Sequence, residues 1–393
     1  MKILMVIPYF VPATSYGGPV KVSFDLSRQL VRRGHEVTVA TTDVFDDTSR
    51  IRILDEVIDG VSVIRFRNLS NAVAKRLNGY TPVMFIPWLR RNLGEFDVVY
   101  CHDFFTLQNI AVSFFCRRRG VPFLVQPHGC LSPVRKKARF SLAKKVFIAL
   151  FGSVLRNACR IIALTAEERA SVLAIDPALA SKTVVVPNGL DLGEFSSVPA
   201  IDLHARYEIA GDHKIVAFIG RLSYIKGIDI ALEVLAAIKD TASFTFLVIG
   251  PDEGERERLK LLARELGIGE RVVFAGMLDG AEKLRTIKSC DLFLFTSRDE
   301  GLPMSVLEVA ALGVPQVISQ ECNVPELATY GAGYVHPVAD IDGLAASVGK
   351  VLADAGERRR LGENALKMVA EVFAIEKTVG TIDGLLAACA RKG

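Results

Sequence analysis

The sequence lacks the features that define several classes of protein. Its seven cysteines are scattered, odd in number and without a CxxC pair, which argues against a disulfide framework or a zinc site and favours a reducing compartment. No stretch of about 18 or more uninterrupted apolar residues occurs, so no segment is predicted to span a bilayer. The first apolar run stops at Pro8 without a cleavage-site pattern. We therefore expect a buried first strand there rather than a signal peptide.

Acidic residues are absent from one long segment. Between Phe104 and Ala166 there is no Asp or Glu but there are eleven Lys and Arg, whereas the whole chain carries a net charge of only +4. The remaining residues therefore carry a net charge of −7. A basic segment on an otherwise acidic chain predicts an anionic partner. Within it, residues 133–156 have the pattern of a basic amphipathic helix, which predicts binding to an anionic membrane surface. A helix packed on a sheet with a solvated basic face is the alternative. We expect no nucleic-acid partner, because no recognition module is present.

What the sequence does contain is a repeated alternation of short apolar runs and amphipathic runs. Residues 2–7 predict a buried strand, and residues 20–34 predict a helix that ends at Gly34. The alternation restarts at residue 214 after an interruption. Continuous Val- and Ile-rich strands that alternate with helices predict parallel sheets covered on both faces. The expected fold class is α/β, with two doubly wound Rossmann-like domains.

The interruption predicts the domain boundary. Residues 187–202 are rich in Pro, Gly and Ser and have no clear periodicity. A chain of 393 residues is also long for one core, and two domains of roughly 150–200 residues are the default. We therefore predict an N-terminal domain over 1–192 and a C-terminal domain over 193–374. The last helix, within 375–393, is expected to join the first domain.

The loop after the first predicted strand holds Gly17 and Gly18 directly before a helix. Open parallel sheets bind ligands at the carboxyl ends of their strands. Backbone amides at a helix start can meet an anion there, and paired glycines permit its close approach. An ordinary turn is the alternative. The loop is not a GxGxxG fingerprint, which weakens the hypothesis of a dinucleotide cofactor.

A second loop, GRLSYIKG at 220–227, follows a predicted strand and holds two cations, Arg221 and Lys226. A guanidinium fork and an ammonium point charge suit a diphosphate, and they stabilise the charge that develops on a diphosphate leaving group. Solvated surface charges are the alternative. The glycines in the loop and its place after a strand favour an anion site.

A third region, DEGLPMSVLE at 299–308, contains two acids eight residues apart. Glu300 lies in a turn and Glu308 in an otherwise apolar helical run. Carboxylates suit sugar hydroxyls, because one group accepts two hydrogen bonds. Pro303 is typical of the start of a helix. Free N–H groups are therefore expected at the next three residues, Met304, Ser305 and Val306.

These segments, with PNGLDLGEF at 187–195, together resemble the large family of retaining, nucleotide-sugar-dependent glycosyltransferases with the GT-B fold, of the group 1 or family 4 type. The resemblance extends from GGPVKVSFDLSRQLVRRGHEVTV to CNVPELATYGAGYVHPVADIDGLAASV. Two acids separated by seven residues are common by chance, whereas the ordered set is specific. The resemblance implies two Rossmann-like domains that face each other across a cleft, with the donor held mainly by the second.

The resemblance also implies roles for individual residues. Arg221 and Lys226 match the pair that grips the donor diphosphate, and Glu308 matches the carboxylate at the ribose hydroxyls. Glu300 matches the acid at the transferred sugar, and His128 in QPHGC matches a histidine near that sugar. The remaining matches are donor-binding: the amides of Met304, Ser305 and Val306 at the phosphates, Gly17 and Gly18 in the cleft, and Met277 and Leu278 at the base pocket.

One departure from the family pattern concerns the sugar. The usual turn is Glu-Gly-Phe-Gly-Leu-Pro or close to it, whereas this chain has Glu-Gly-Leu-Pro-Met-Ser after Asp299. The second Gly is absent, which puts the identity of the sugar in doubt. No cofactor and no divalent metal are expected, because Arg221 and Lys226 supply the positive charge. His102 and Asp103, at the end of another predicted strand, are candidates for the acceptor side.

The sequence thus predicts a hexosyltransferase that uses a nucleotide diphosphate sugar and a saccharide acceptor. The acid-free segment favours a lipid-linked acceptor and a cytoplasmic enzyme peripheral to the membrane, in the assembly of a surface polysaccharide or glycan. No carboxylate is clearly placed as a nucleophile, so front-face attack with retention is the working mechanism. A nucleotide-sugar-binding protein without transferase activity and a nucleotide-sugar epimerase are the alternatives.

Overall fold

The chain forms two compact units in this computed structural model. The described residues are 1–46, 48–71, 74, 79–131, 141–278 and 280–391. One unit is Met1–Gly189 together with Ile375–Gly393, and the other is Leu190–Ala374. The chain leaves the first unit between Gly189 and Leu190, within the Pro- and Gly-rich segment 187–202, whereas the predicted division followed residue 192.

The first unit is built on an eight-stranded sheet in the described part of the chain. Its strands are β1 (Lys2–Val6), β2 (Glu36–Thr42), β3 (Asp55–Ile58), β4 (Val61–Phe66), β5 (Val98–His102), β6 (Phe123–Gln126), β7 (Arg160–Ala163) and β8 (Thr183–Val185). Their order is β3-β4-β2-β1-β5-β6-β7-β8, and all pairs are parallel except β3 with β4. The strand order reverses between β1 and β5, which is where such sheets bind ligands.

Helices cover both faces of this sheet. They are α1 (Gly18–Arg32), α2 (Phe85–Asn92), α3 (Leu107–Arg119), α4 (Ser141–Phe151), α5 (Ser153–Asn157) and α6 (Ala166–Leu173). Successive side chains of β1 point to opposite faces, so Ile3 and Met5 belong to one hydrophobic cluster and Leu4 and Val6 to another. Burial on both faces explains why these strands are continuous apolar runs.

The second unit is a six-stranded, fully parallel sheet in the described residues. Its strands are β9 (Lys214–Ile219), β10 (Phe244–Ile249), β11 (Val272–Gly276), β12 (Leu292–Phe295), β13 (Gln316–Ser319) and β14 (Gly333–His336). Their order is β11-β10-β9-β12-β13-β14, so the winding reverses between β9 and β12. The carboxyl ends of these two strands are therefore the expected ligand site.

The helices of the second unit follow the predicted alternation. They are α7 (Leu203–Tyr207), α8 (Ile228–Ala237), α9 (Arg256–Glu265), α10 (Gly280–Lys288), α11 (Met304–Ala311), α12 (Glu326–Thr329), α13 (Ile341–Ala353) and α14 (Ala355–Val372). The predicted fold class, two doubly wound α/β domains, is confirmed. Two short strands, β3 and β14, were not predicted.

The final helix, α15 (Ile375–Cys389), packs in the first unit. Its apolar side chains share a cluster with Leu26 and Leu30 of α1. Its Asp383 accepts from Arg33 at 3.3 Å and lies 2.9 Å from His35 Nε2. The apolar face of this amphipathic helix therefore packs in the core of the first unit.

The predicted basic helix over 133–156 lies partly outside the described residues. Within the described part, α4 ends at Phe151 and α5 begins at Ser153, so the helix is broken at the intervening glycine. On α4, Val146 and Leu150 are 48% and 66% exposed. Of the helices described, none combines the length and the apolar character that crossing a membrane requires.

Candidate active site

The order of the second sheet brings two distant loops together. The loop after β9 carries Arg221 and Lys226, and the loop after β12 carries Glu300. Because β9 and β12 are neighbours and parallel, both loops emerge at the same edge. Lys226 and Glu300 thus meet although 74 residues separate them.

Lys226 and Glu300 form a shielded ion pair. Nζ of Lys226 lies 2.5 Å from Oε1 of Glu300, and their side chains are only 17% and 7% exposed. The Ser297 hydroxyl donates to the same oxygen at 2.8 Å. Nζ also lies 5.3 Å from the centroid of the Phe295 ring. Removal from water strengthens such a pair, so the site holds a positive charge at a defined point.

The loop that carries Lys226 is fixed by a close backbone approach. Gly227 has φ +64, and a Cβ there would lie 1.9 Å from the carbonyl oxygen of Thr296. The Thr296 hydroxyl in turn donates to the Gly227 carbonyl at 2.7 Å. Only glycine fits where the two backbones approach so closely, which explains why Gly227 follows Lys226.

A bidentate ion pair ties the two loops further. Arg298, after β12, donates to both carboxylate oxygens of Asp229 at 2.9 and 3.0 Å. Its guanidinium carbon lies 4.0 Å from the centroid of the Tyr224 ring. Paired fork contacts and stacking are geometrically specific. Sequence reasoning missed this pair, because neither residue is distinguishable from a surface charge before the strand order is known.

Arg221 is placed differently from Lys226. Its guanidinium lies 2.7 Å from Oε1 of Glu253, and the two side chains are 57% and 41% exposed. An exposed pair of this kind contributes little to stability. The second predicted cation is therefore available at the surface of the same loop, with a carboxylate as its present partner.

Glu308 lies on α11 and is 6% exposed. Nζ of Lys283, on α10, lies 2.8 Å from its Oε2. The helix is apolar and follows Pro303, and its inward face packs in the core of the second unit. Lys283 was not predicted as part of the site. Its only sequence signal is a lysine on the helix that precedes β12.

The predicted free amides at the start of α11 are only partly present. The N–H of Val306 donates to the carbonyl of Pro303 at 3.1 Å, so the prediction that this amide is free was wrong. The first turn closes on Pro303 because this residue is the N-cap. In the described part of the chain the N–H groups of Met304 and Ser305 make no backbone hydrogen bond, as expected at a helix N-terminus.

The predicted base-pocket residues differ in position. Met277 is 56% exposed and lines a pocket at the ends of β9, β10 and β11. Leu222, Gly250, Asp252 and Phe274 line the same pocket, and Leu278 is not among the lining residues.

In the first unit, the predicted Gly-Gly loop ends at the start of α1. Gly17 has φ +83 and is the N-cap, and Pro19 lies in the first turn. No heavy atom lies within 4 Å of a Cβ built on Gly17. The positive φ, rather than crowding by the protein, is therefore what favours glycine here.

His102 and His128 form a hydrogen-bonded pair at the ends of β5 and β6. Nδ1 of His102 lies 2.8 Å from Nε2 of His128, and the rings stack 5.1 Å apart. Burial lowers the pKa of His128 to about 4. Burial, and then the neighbouring His128, hold the pKa of His102 well below its usual value. Both rings are therefore uncharged at neutral pH.

The predicted acceptor-side pair, His102 and Asp103, is turned toward the protein. His102 is completely buried, and within the described part of the chain its Nε2 has no hydrogen-bond partner. The Asp103 carboxylate accepts from the amides of Phe104 at 2.5 Å and Phe105 at 3.3 Å. It stabilises its own turn, which has φ +68 at Asp103.

Metal-ligating side chains do not cluster in the part of the chain that the structure describes. Among the described residues there is no group of three or more His, Cys, Asp or Glu that could hold a metal ion.

Two family models match consecutive parts of the chain. "Glycosyl transferase 4-like domain" matches residues 17–189, and "Glycosyl transferases group 1" matches residues 201–368. An uncharacterized glycosyltransferase of Methanocaldococcus jannaschii is 28% identical over 387 residues, which are 95% of each chain. The chain belongs to the GT-B glycosyltransferases, and it is a transferase of the EC 2.4 class.

Solved structures agree with this fold. A sucrose-phosphate synthase from Thermosynechococcus elongatus superposes with a TM-score of 0.80 at 20% identity, covering 98% of both chains. HepE of Anabaena, in complex with UDP and glucose, has a TM-score of 0.77 at 20% identity and covers 99% of this chain and 100% of its own.

Proposed function

We propose that the chain transfers a hexose from a nucleotide diphosphate sugar to a saccharide acceptor, with retention of the anomeric configuration and without a divalent metal. The observation that carries the proposal is the shielded Lys226–Glu300 pair at the carboxyl ends of β9 and β12. It combines a cation suited to a diphosphate with a carboxylate suited to sugar hydroxyls, at the edge where doubly wound sheets bind ligands.

Three features support a nucleotide-sugar donor. Met304 and Ser305 present amides at a helix N-terminus, which favours phosphate. Arg221 adds a second cation on the loop of Lys226. HepE, which shares the fold, binds UDP and glucose. The donor would lie with its diphosphate between these groups, its sugar at Glu300 and its ribose at Glu308.

The chemistry needs no protein nucleophile. The acceptor oxygen forms a bond to the anomeric carbon on the face that the diphosphate leaves. The carbon–oxygen bond to the diphosphate breaks, and the acceptor proton passes to a leaving phosphate oxygen. Lys226 and Arg221 stabilise the charge that develops on that group. The neutral His128 would donate or accept a hydrogen bond near the sugar.

A lipid-linked acceptor is supported by the basic, acid-free segment between Phe104 and Ala166. On α4, Val146 and Leu150 lie four residues apart, on one helix face, and both are exposed. Exposed apolar side chains in a segment of basic sequence suit an anionic membrane surface. We accordingly place the enzyme at the cytoplasmic face of a membrane, in the assembly of a surface polysaccharide or glycan.

A thermal-shift panel tests the donor site. UDP-, GDP- and ADP-sugars are added to the wild type and to Lys226→Ala. The control is Lys239→Ala. Lys239 lies just after the C-terminal end of α8, where its Nζ donates to the Leu266 carbonyl at 3.1 Å. At least one donor should raise the Tm of the wild type and of the control but not that of Lys226→Ala. If no donor stabilises the wild type, the site assignment fails.

Product analysis tests the reaction. NMR of the glycoside formed from an α-linked donor should show an α-anomeric product, and added chelator should leave the rate unchanged. A β-linked product would contradict retention, and loss of activity that Mg²⁺ or Mn²⁺ restores would contradict metal independence. Conversion of the donor into an epimeric nucleotide sugar in the absence of acceptor would favour the epimerase alternative.

Vesicle flotation tests the membrane proposal. Wild type should float with anionic vesicles and not with neutral phosphatidylcholine vesicles. Val146→Gln with Leu150→Gln should weaken flotation, whereas Leu366→Gln, at a 44% exposed leucine of the second unit, should not. The lipid-linked acceptor would be refuted if the wild type does not float and transfers sugar to a soluble phosphosugar as well as to a lipid-linked one.

A further inference from the structure

Two cysteines that are distant in the sequence meet in the first unit. Cys159 lies directly before β7, and Cys389 is the last residue of α15. Both are free and half-buried, and their thiols are hydrogen-bonded to each other. The two side chains pack against the hydrophobic cluster that includes Ile162 of β7 and Leu386 of α15. Cys159 and Cys389 thus form a thiol pair where the last turn of α15 meets the sheet.

The backbone on each side of the thiol pair is anchored. The N–H of Cys159 donates to the Phe123 carbonyl of β6 at 2.9 Å, and its Sγ lies 3.1 Å from the same oxygen. Just beyond Cys389, the guanidinium of Arg391 donates to the Gly120 carbonyl at 3.1 Å. A bond between the two sulfur atoms would therefore need little further ordering of the chain.

The two thiols of the pair differ in acidity. The hydrogen bond from Cys159 lowers the pKa of Cys389 to about 7, and the neighbouring Arg160 acts in the same direction. The same hydrogen bond, together with burial, raises the pKa of Cys159. Burial raises the thiol pKa of four other cysteines: Cys101, Cys116, Cys290 and Cys322. Because the thiolate is the nucleophilic form of cysteine, Cys389 is the more reactive member of the pair.

Packing alone is the simplest role for these residues, because a free cysteine behaves as a small hydrophobic side chain. Packing does not require two thiols to contact each other, and it does not require them to stay partly accessible to solvent. A half-buried thiol near a cation, with a second thiol beside it, is typical of cysteines that oxidise reversibly. The geometry of the pair therefore favours a chemical role.

We propose that Cys159 and Cys389 are a redox modification site, which hydrogen peroxide oxidises to one reversible disulfide that ties α15 to the sheet of the first unit. A single transient disulfide of this kind is compatible with a reducing compartment, whereas a permanent disulfide framework is not. The inference is independent of the proposed transferase function.

The reaction proceeds in two steps. The Cys389 thiolate attacks one peroxide oxygen, the O–O bond breaks and hydroxide leaves, so that Cys389 becomes a sulfenic acid. The Cys159 sulfur then attacks the Cys389 sulfur. The S–S bond forms, the S–O bond breaks, and water leaves with the proton of Cys159. The two thiols lose two electrons to the peroxide, and a dithiol reductant returns them by thiol–disulfide exchange.

The disulfide should stabilise the folded chain. Its two ends enclose the whole second unit, Leu190–Ala374, so it closes a long loop in the unfolded state. Loss of unfolded-state entropy by such a loop stabilises the native state. We expect the Tm of the oxidised chain to rise by about 5–10 °C, and dithiothreitol should reverse this rise.

The test uses the full chain, treated with hydrogen peroxide and then quenched. Thiol titration in denaturant should fall from seven cysteines to five. Peptide mapping by mass spectrometry should recover the peptides of Cys159 and Cys389 joined to each other, and dithiothreitol should separate them. The proposal is overturned if both cysteines stay reduced, if either pairs with another cysteine instead, or if Cys389 is oxidised to sulfinic acid without forming the bridge.

Single variants test the order of the two steps. In Cys159→Ser the reaction should stop at the sulfenic acid of Cys389, which dimedone labels, whereas Cys389→Ser should leave Cys159 almost unlabelled. Equal labelling in the two variants would overturn the assignment of Cys389 as the attacking thiol. Cys130→Ser, at another half-buried thiol of the first unit, is the matched control and should still form the disulfide. The wild-type peptide map decides the proposal even if a variant does not fold.

Discussion

The two units hold the polar groups at their sheet edges in opposite electrostatic states. In the first unit, His102 and His128 are stacked, hydrogen-bonded and uncharged. In the second, Lys226 and Lys283 are charged and each is held by a buried carboxylate. The neutral histidine pair can direct hydrogen bonds but carries no charge. The lysines and their carboxylate partners place charged groups at fixed positions. The difference supports a division in which the second unit binds the anionic donor and the first supplies hydrogen bonds.

The largest effect is expected from Lys226→Met, which removes the shielded charge of the second unit. Transfer should fall by about 10²- to 10³-fold in kcat, because the charge developing on the leaving group loses its stabilisation. The variant should also lose about 3–5 kcal/mol of stability, since the buried Glu300 carboxylate loses its charge partner. Steady-state kinetics and denaturant unfolding measure the two effects.

The double variant Lys226→Met with Glu300→Gln separates those effects. It removes both charges and should recover much of the stability but none of the activity. If activity returns with stability, Lys226 serves only the fold.

A smaller effect is expected from the neutral pair of the first unit. His128→Phe removes the hydrogen bond to His102 and, under the proposed function, one hydrogen bond to the transferred sugar. It should lower kcat/KM by about 10-fold, which corresponds to about 1.4 kcal/mol. The rate of the wild type should show no ionisation of His128 near pH 6.5, because its pKa is about 4. If His128→Phe lost as much activity as Lys226→Met, the proposal that the charges of the second unit dominate catalysis would be wrong.

The same pair should make the first unit sensitive to acid. Because burial lowers both histidine pKa values, the unfolded chain binds more protons between about pH 4 and 6.5, and stability is lost as the pH falls through that window. Each histidine can contribute up to about 1.4 kcal/mol per pH unit. Trp88, the only tryptophan, lies in this unit and reports its unfolding by fluorescence.

The control for this pH effect is His102→Gln, measured beside the wild type in urea at pH 7.5, 6.5, 5.5 and 4.5. The neighbours that could titrate are the His128 ring and the Asp103 carboxylate, and Tyr100 also stacks on His102. The variant should show a shallower loss of stability with acid. An unchanged slope would mean that other groups carry the acid sensitivity.

The smallest effect is expected at the exposed pair Arg221–Glu253. Glu253→Gln should change stability by less than about 1 kcal/mol, because both partners are largely hydrated. It should strengthen donor binding slightly, since Arg221 is released for the diphosphate, and the gain should shrink at high salt. A large loss of stability would show that this pair resembles the shielded ones.

Sequence patterns predicted the strands of both sheets except one edge strand in each. Strands that are buried on both faces, such as β9 and β10, are continuous apolar runs, and these were predicted. The strands β3 and β14, of sequence DEVI and GYVH, are short and partly exposed. Neither has a continuous apolar run, and such edges are shaped by pairing with a neighbour rather than by local pattern.

The sequence by itself determined the alternation of strands and helices, the loops that carry Arg221, Lys226 and Glu300, and the glycine after Lys226. These depend on local backbone preference and on residues close together in the chain. Only the tertiary structure decided the pairs Lys283–Glu308, Arg298–Asp229 and His102–His128. Arg298 meets Asp229 because β9 lies beside β12, and His102 meets His128 because β5 lies beside β6. Lys283 meets Glu308 between the helices that precede and follow β12. Such neighbours leave no periodic trace in a sequence.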